Sequence, residues 1–189
     1  MINSSIKNKR KKVLEGGVEG AKKAAISLLA YKEQTEKELF TKLLEKGFSR
    51  EDAAEAVAFT IEKQYLSEKR YYMRFAEFCG KNKHFGRRRI VQEARRKGFS
   101  EKTIEKYTEE ALADVDFDES CYEALTHFRK GSKEKLTASL LRRGFTTANV
   151  RYAFMRYEQQ SGGSLESLFE ESAELEDDLF DGGFADDEM

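Results

Sequence analysis

Apolar residues return every three to four positions through most of this chain. Ala21, Ala24, Ala25, Leu28 and Leu29 follow the i, i+3, i+4, i+7, i+8 spacing that lines one face of an α-helix. Leu39 and Leu43 mark a second helix, and Ala53, Val57 and Ile61 a third. The trio then repeats. Tyr72, Phe75, Ala76 and Cys79 open a second set, followed by Ile90 with Ala94, and by Ile104, Tyr107, Ala111 and Leu112. Cys121, Ala124, Leu125 and Phe128 open a third, followed by Leu136 with Leu140, and by Val150, Ala153, Phe154 and Tyr157. No stretch alternates with the period of a strand. The pattern predicts three sets of three helices.

A short phrase punctuates each set: Lys46-Gly47-Phe48-Ser49, Lys97-Gly98-Phe99-Ser100 and Arg143-Gly144-Phe145-Thr146. A glycine after an apolar-periodic stretch closes a helix in the left-handed conformation. The phenylalanine behind it can fold back on the helix just ended, Phe48 on Leu43, Phe99 on Ala94 and Phe145 on Leu140. Ser49, Ser100 and Thr146 can each cap the next helix, with the phenylalanine stapled to Ala53, Ile104 or Val150. Thr35, Gly86 and Ser132, each twelve positions before the glycine, are acceptable caps for the preceding helices, as are Ser67 and Asp118 for the helices that open the second and third sets.

The phrase recurs at intervals of 51 and 46 residues, a period typical of stacked helical units that present a surface to a large partner. The expected organisation is all-α: a basic arm at 1–19, three-helix repeats at 20–65, 66–114 and 115–160, and a flexible acidic tail at 161–189. The repeats are expected to stack on one another. The absence of proline suits a mostly helical chain.

Charge sharpens this division. Residues 161–189 hold eleven acidic residues and no Lys or Arg, which leaves 24 of the 35 acidic residues against all 34 basic ones in the rest. A net charge of −1 thus conceals a basic body with an excess of about ten, joined by Ser161-Gly162-Gly163-Ser164 to an acidic segment dotted with Leu and Phe. That segment reads either as a solubilising tail or as one that binds a partner or the basic body itself.

The basic residues cluster. Lys81, Lys83, His84, Arg87, Arg88 and Arg89 surround the start of the helix containing Ile90, and Arg95, Arg96 and Lys97 end it. Arg129, Lys130, Lys133, Lys135, Arg142 and Arg143 form a second group. Arg95 stands where the other two repeats have Leu44 and Leu141, as expected of a surface adapted for binding. Such density attracts phosphates or an acidic protein face, although helix-end cations also serve as dipole partners. Tyr71, Tyr72, Phe75 and Phe78 could stack bases, but their helical spacing favours core packing.

Nothing comparable suggests catalysis. His84 and His127 are the only histidines and have no nucleophile or carboxylate at a motif spacing. There is no phosphate loop, dinucleotide fingerprint or metal-ligand signature. Cys79 and Cys121 fall on apolar faces and read as buried free thiols, which suits a reducing cytoplasm. No apolar run is long enough for a membrane span, and the basic N-terminal residues, with no apolar core after them, are not expected to act as a secretory signal. No cofactor is expected.

Three runs carry a resemblance to a known family. Leu28 to Leu39, followed by Lys42-Leu43-Leu44-Glu45-Lys46-Gly47-Phe48, resembles the first motif of the bacterial RecX regulators. Tyr65 to Tyr71 is similar to the junction between their first two units. Phe85-Gly86-Arg87-Arg88-Arg89-Ile90 with Glu93 to Phe99 resembles their basic second motif, and Lys135-Leu136 through Phe145 the third. The likeness spans roughly residues 20–158. It departs where Gly86 runs straight into arginine, since the family often has Gly-Pro there. The resemblance implies that the repeats form an elongated, curved body, and a non-enzyme that binds the RecA recombinase filament along its groove. It implies inhibition of ATP hydrolysis, strand exchange and co-protease activity, in DNA repair, homologous recombination and the SOS response. It also implies affinity for single-stranded and double-stranded DNA. Separately, a monomer is expected. Binding roles carry over only to the basic residues named above. The alternative expectation is a helical protein that acts directly on DNA.

Overall fold

A computed structural model describes residues 16–127 and 132–161. Those residues form nine helices and no strand: α1 (Gly17–Tyr31), α2 (Glu36–Lys46), α3 (Arg50–Glu62), α4 (Glu68–Lys81), α5 (Arg87–Lys97), α6 (Glu101–Ala111), α7 (Phe117–His127), α8 (Lys133–Arg142) and α9 (Thr147–Ser161). Two compact units divide between Glu68 and Lys69.

The helix boundaries follow the local chemistry of the sequence. Thr35 and Glu38 form a reciprocal capping box at the start of α2, at 3.1 and 2.9 Å. The Ser49, Ser100 and Ser132 hydroxyls accept the backbone N–H groups of Asp52, Thr103 and Lys135. Thr146 and Asn149 cap each other at the start of α9. These bonds satisfy donors that a helix start leaves orphaned. At the other ends, Gly47, Gly98 and Gly144 take φ of 101°, 95° and 91°. The N–H groups of Phe48, Phe99 and Phe145 reach back to the carbonyls of Leu43, Ala94 and Leu140, the bond expected of a left-handed helix terminus.

The first unit packs α1, α2 and α3 around Ala21, Ala25, Leu39, Leu43, Phe48, Ala53, Ala56, Val57 and Leu66. Here one expectation fails. Ile61 is exposed, and α3 buries Ala53, Ala56, Val57 and Thr60 instead. Thr60 can occupy the core because its hydroxyl donates to the Val57 carbonyl at 2.8 Å, which removes the penalty of burying an unpaired polar group.

The second unit contains two cores. In the first, from α4, α5 and α6, Phe99 sits among the rings of Tyr71, Tyr72 and Phe75, with centroids 5.1, 5.3 and 5.2 Å away. Those three aromatics are therefore core residues and not a base-stacking platform. In the second, Leu125, Leu136, Leu140, Phe145 and Phe154 gather α7, α8 and α9. Phe117 packs against both cores, and the Ser120 hydroxyl on α7 donates to the Gly80 carbonyl on α4 at 2.9 Å.

The start of α7 corrects a second expectation. Asp116, not Asp118, caps it, its carboxylate accepting the N–H groups of Asp118 and Glu119. Asp118 lies inside the first turn and accepts from the Asn149 amide on α9 at 2.8 Å. Phe128, expected on the apolar face of α7, lies outside the described residues.

Candidate functional site

The helix α5 reads Arg-Arg-Arg-Ile-Val-Gln-Glu-Ala-Arg-Arg-Lys, with six cations and one carboxylate. Ile90 and Ala94 are fully buried, and their spacing fixes which face turns inward. The cations are left on the flanks and outer surface. Arg87 forms a two-pronged contact with Glu109 on α6, and Arg95 a two-pronged one with Glu101 at 2.9 and 3.1 Å. Arg89 and Arg96 share Glu93 at 2.7 and 3.2 Å. The Lys97 ammonium sits 5.7 Å from the Tyr71 ring centre. The two-pronged contacts raise the pKa of both arginines concerned, Glu109 that of Arg87 and Glu101 that of Arg95. The same bonds hold both carboxyls below the usual carboxylate range.

The α5 N-terminus is built against the end of α8. The Gly86 N–H donates to the Arg143 carbonyl at 2.8 Å. Gly86 itself has an ordinary φ of −70°, so its lack of a side chain serves proximity, not conformation. A Cβ there would lie 2.1 Å from the Gly144 carbonyl carbon, and one on Gly144 would lie 2.3 Å from the Arg89 nitrogen. Two glycines thus allow two backbones to cross where no side chain fits.

Around this crossing the two basic clusters meet. The Arg88 guanidinium donates to the Leu141 carbonyl at 3.4 Å. Arg89 and Arg143 both lie 5.7 Å from the centre of the Phe85 ring. Arg143 also donates to the carbonyls of Lys83 and His84 at 3.0 and 3.3 Å. Burial, and then the positive charge of Arg89, lower its pKa. Arg143 is thus a half-buried clamp, whereas Arg88, Arg95 and Arg96 are exposed. Sequence reasoning did not single out Phe85 as the shared ring. The only hint was its place directly before a glycine that starts a helix without a side-chain cap.

The remaining basic residues are peripheral to the crossing. Lys81 pairs with Glu77 at 2.8 Å, and Lys83 lies 5.7 Å from the Phe78 ring centre. Lys133 lies 5.6 Å from the Phe154 ring centre at the start of α8, and Lys135 is exposed within its first turn. Arg142 donates to Ser139 at 3.1 Å. Arg129 and Lys130 lie outside the described residues, as does the acidic tail beyond Ser161.

The histidines come together next to the crossing. His84 takes a left-handed φ of 49° and its ring stacks on His127, with centroids 5.5 Å apart and planes 24° from parallel. Burial lowers its pKa first, then the nearby His127 and Arg143, while Glu123 acts in the opposite sense. Its buried Nδ1 has no hydrogen-bond partner. Cys79 and Cys121 are buried free thiols, each pushed up to about 12 by burial, far from thiolate reactivity. Among the described residues there is no group of three potential metal ligands, and no helix is long and apolar enough to cross a membrane.

What the arrangement offers is a cationic seam, formed by α5 and the end of α8 on a rigid backbone crossing. It can present several guanidinium groups to an anionic surface.

Comparison with known proteins gives a consistent result. The family model described as "RecX, first three-helix domain" matches residues 21–59. The regulatory protein RecX of Trichlorobacter lovleyi is 36% identical over 93 residues, covering 49% of this chain and 60% of the relative, so the match spans less than two thirds of that protein. The regulatory protein RecX of Vibrio vulnificus is 32% identical over 139 residues, covering 70% of this chain and 89% of the relative. The crystal structure of RecX from Lactobacillus salivarius superimposes with a TM-score of 0.62 at 18% identity, over 75% of this chain and 97% of that one.

Proposed function

The chain belongs to the RecX family of regulatory proteins, and from that premise we propose that it is a non-enzymatic regulator that binds the RecA recombinase filament. It docks along the filament groove and restrains ATP hydrolysis, strand exchange and co-protease activity. Its helix trios act as repeats, at 20–65, 66–114 and 115–160. The observation that carries the reading is the seam, where Arg88 of α5 reaches the Leu141 carbonyl and Arg89 and Arg143 share the Phe85 ring. A nucleoprotein polymer is a repeating anionic surface. Several modest contacts from one folded scaffold then act together and give an affinity that no single contact supplies. Occupying the groove would hinder subunit motion and strand access with no chemical step.

A titration of the protein into a recombinase ATPase assay on single-stranded DNA, at two salt concentrations, tests this. Turnover should fall at protein concentrations too low to coat bare DNA. Unchanged turnover at saturating protein would refute it.

The rival reading is direct binding to DNA. It is favoured by the first turn of α5, which has three arginines and no acidic residue, a combination suited to phosphate. It predicts binding to DNA alone with a steep salt dependence, and inhibition only where the strand itself is covered.

A further inference from the structure

We propose that residues 162–189 dock on the α5–α8 seam of their own chain and compete there with polyanions. The proposal rests on the reading of that seam as a surface for anionic partners.

The first support is a local shortage of carboxylates. Three acidic residues, Glu93, Glu101 and Glu109, serve four of the α5 arginines. The helix α8 adds Lys133, Lys135 and Arg142 with Glu134 as its one acid, and Arg143 follows. The segment 162–189 has the opposite composition, eleven acidic residues and no Lys or Arg. Opposite charge on this scale favours association wherever the two can meet.

The second support is the tether. The helix α9 ends at Ser161 and packs with α7 and α8, in the unit that carries the seam. The 28 residues that follow can span up to about 90–100 Å, several times the roughly 22 Å length of α9 itself. Attachment to the same unit gives the segment a high effective concentration at the seam, which a separate acidic partner lacks.

The third support is the character of the surface. Val91 on α5 and Leu141 on α8 are half-buried against the two cores, so apolar area lies among the guanidinium groups. The segment matches this mixture, with Leu165, Leu168, Phe169, Leu175, Leu179, Phe180 and Phe184 set among its carboxylates. In the described part of this unit Met155, on α9, is the exposed large hydrophobic. An occupant of the seam is therefore held mainly by charge, and its docking should weaken as salt rises.

Carbodiimide coupling of the intact chain at about 50 mM salt, followed by peptide mass spectrometry, tests the docking itself. It should join tail carboxylates to Lys83 and Lys97 within the monomeric product. Coupling absent, confined to a dimeric product, or directed to Lys7, Lys9, Lys11 and Lys12 would overturn the proposal. A second measurement tests the competition: binding of a fluorescent oligo-dT by the full-length chain and by one in which all eleven tail acids become Gln or Asn. The variant should bind at least about tenfold tighter at about 50 mM salt, with the gap closing at about 300 mM. Equal affinity at low salt would overturn competition. If neither chain binds the oligonucleotide or the recombinase filament, the reading of the seam fails, and the coupling pattern still decides whether the tail docks.

Discussion

Replacing Gly86 by alanine should destabilise the second unit far more than a Gly→Ala change at an ordinary φ warrants. On backbone grounds alone the change is favourable: φ is −70°, and a less flexible unfolded chain contributes about 0.4–1 kcal/mol of stability. The crossing reverses the sign. The new Cβ would stand 2.1 Å from the Gly144 carbonyl carbon and 2.2 Å from the Phe145 nitrogen, whereas carbon atoms settle at about 3.5 Å or more. The two segments must part by roughly 1.4 Å. The Gly86 N–H···O bond to Arg143, now 2.8 Å, would open to about 4 Å and cease to be a hydrogen bond. Its loss costs about 1–3 kcal/mol, and overpacking of the joint costs a similar amount. Net of the favourable entropy, a loss of about 2–4 kcal/mol is expected. Urea unfolding of the full chain, followed by hydrogen exchange at Ile90 and Leu140, reads this unit specifically. A slope of about 1–3 kcal/mol per molar urea converts the loss into a midpoint lowered by about 1 M or more. An unchanged or raised midpoint would mean that the crossing is loose enough to accept a methyl group, and the argument for the glycine pair would fall.

Phe99→Ala should cost about 3–5 kcal/mol by emptying the space among Tyr71, Tyr72 and Phe75, which thermal unfolding should register as a fall of roughly 10–20 °C in the midpoint of the second unit. His84 should make stability depend on pH. Its folded pKa lies below the ordinary value, so the unfolded chain binds more protons in the window between the two. Stability is complete above about 6.5 and declines as pH falls through that value. His84→Asn, which tolerates the left-handed backbone, should flatten that decline, and a profile identical to the unmodified chain would assign it elsewhere. Changing Arg88 and Arg95 together to Glu should raise the concentration needed to inhibit recombinase ATPase at least about tenfold while helical circular dichroism is retained. Arg89 is left intact in that test because it braces Phe85 and Glu93.

The helices, the turns between them and most of the core residues were legible because each is encoded within a few positions. Ser49, Gly47 and Phe48 specify one helix end and the next helix start without reference to the rest of the chain, and the same logic works at Gly98 and Gly144. What was not legible depends on partners distant in sequence. Gly86 reads as an acceptable cap and proves to be a point of contact with residues near 144. Arg143 reads as one more surface cation, yet it turns inward to the carbonyls of Lys83 and His84. Ile61 reads as core, but Thr60 displaces it through a hydrogen bond that hydrophobic periodicity does not register. Asp116 and Asp118 are equally good caps in isolation, and the amide of Asn149, more than thirty residues away, takes up the second. The cationic clusters were visible as composition. Their convergence required the fold.

The ion pairs along α5 also determine what any polyanion would have to do on arrival. Glu93, Glu101 and Glu109 already stand as resident counter-charges for four arginines, so part of the neutralisation that dissolved cations and anions would normally provide is performed by the fold. Binding there would proceed by exchange, with a phosphate displacing a carboxylate wherever the arginine is paired and not only a cloud of small ions. The salt sensitivity of such a surface should then fall short of the number of arginines it displays.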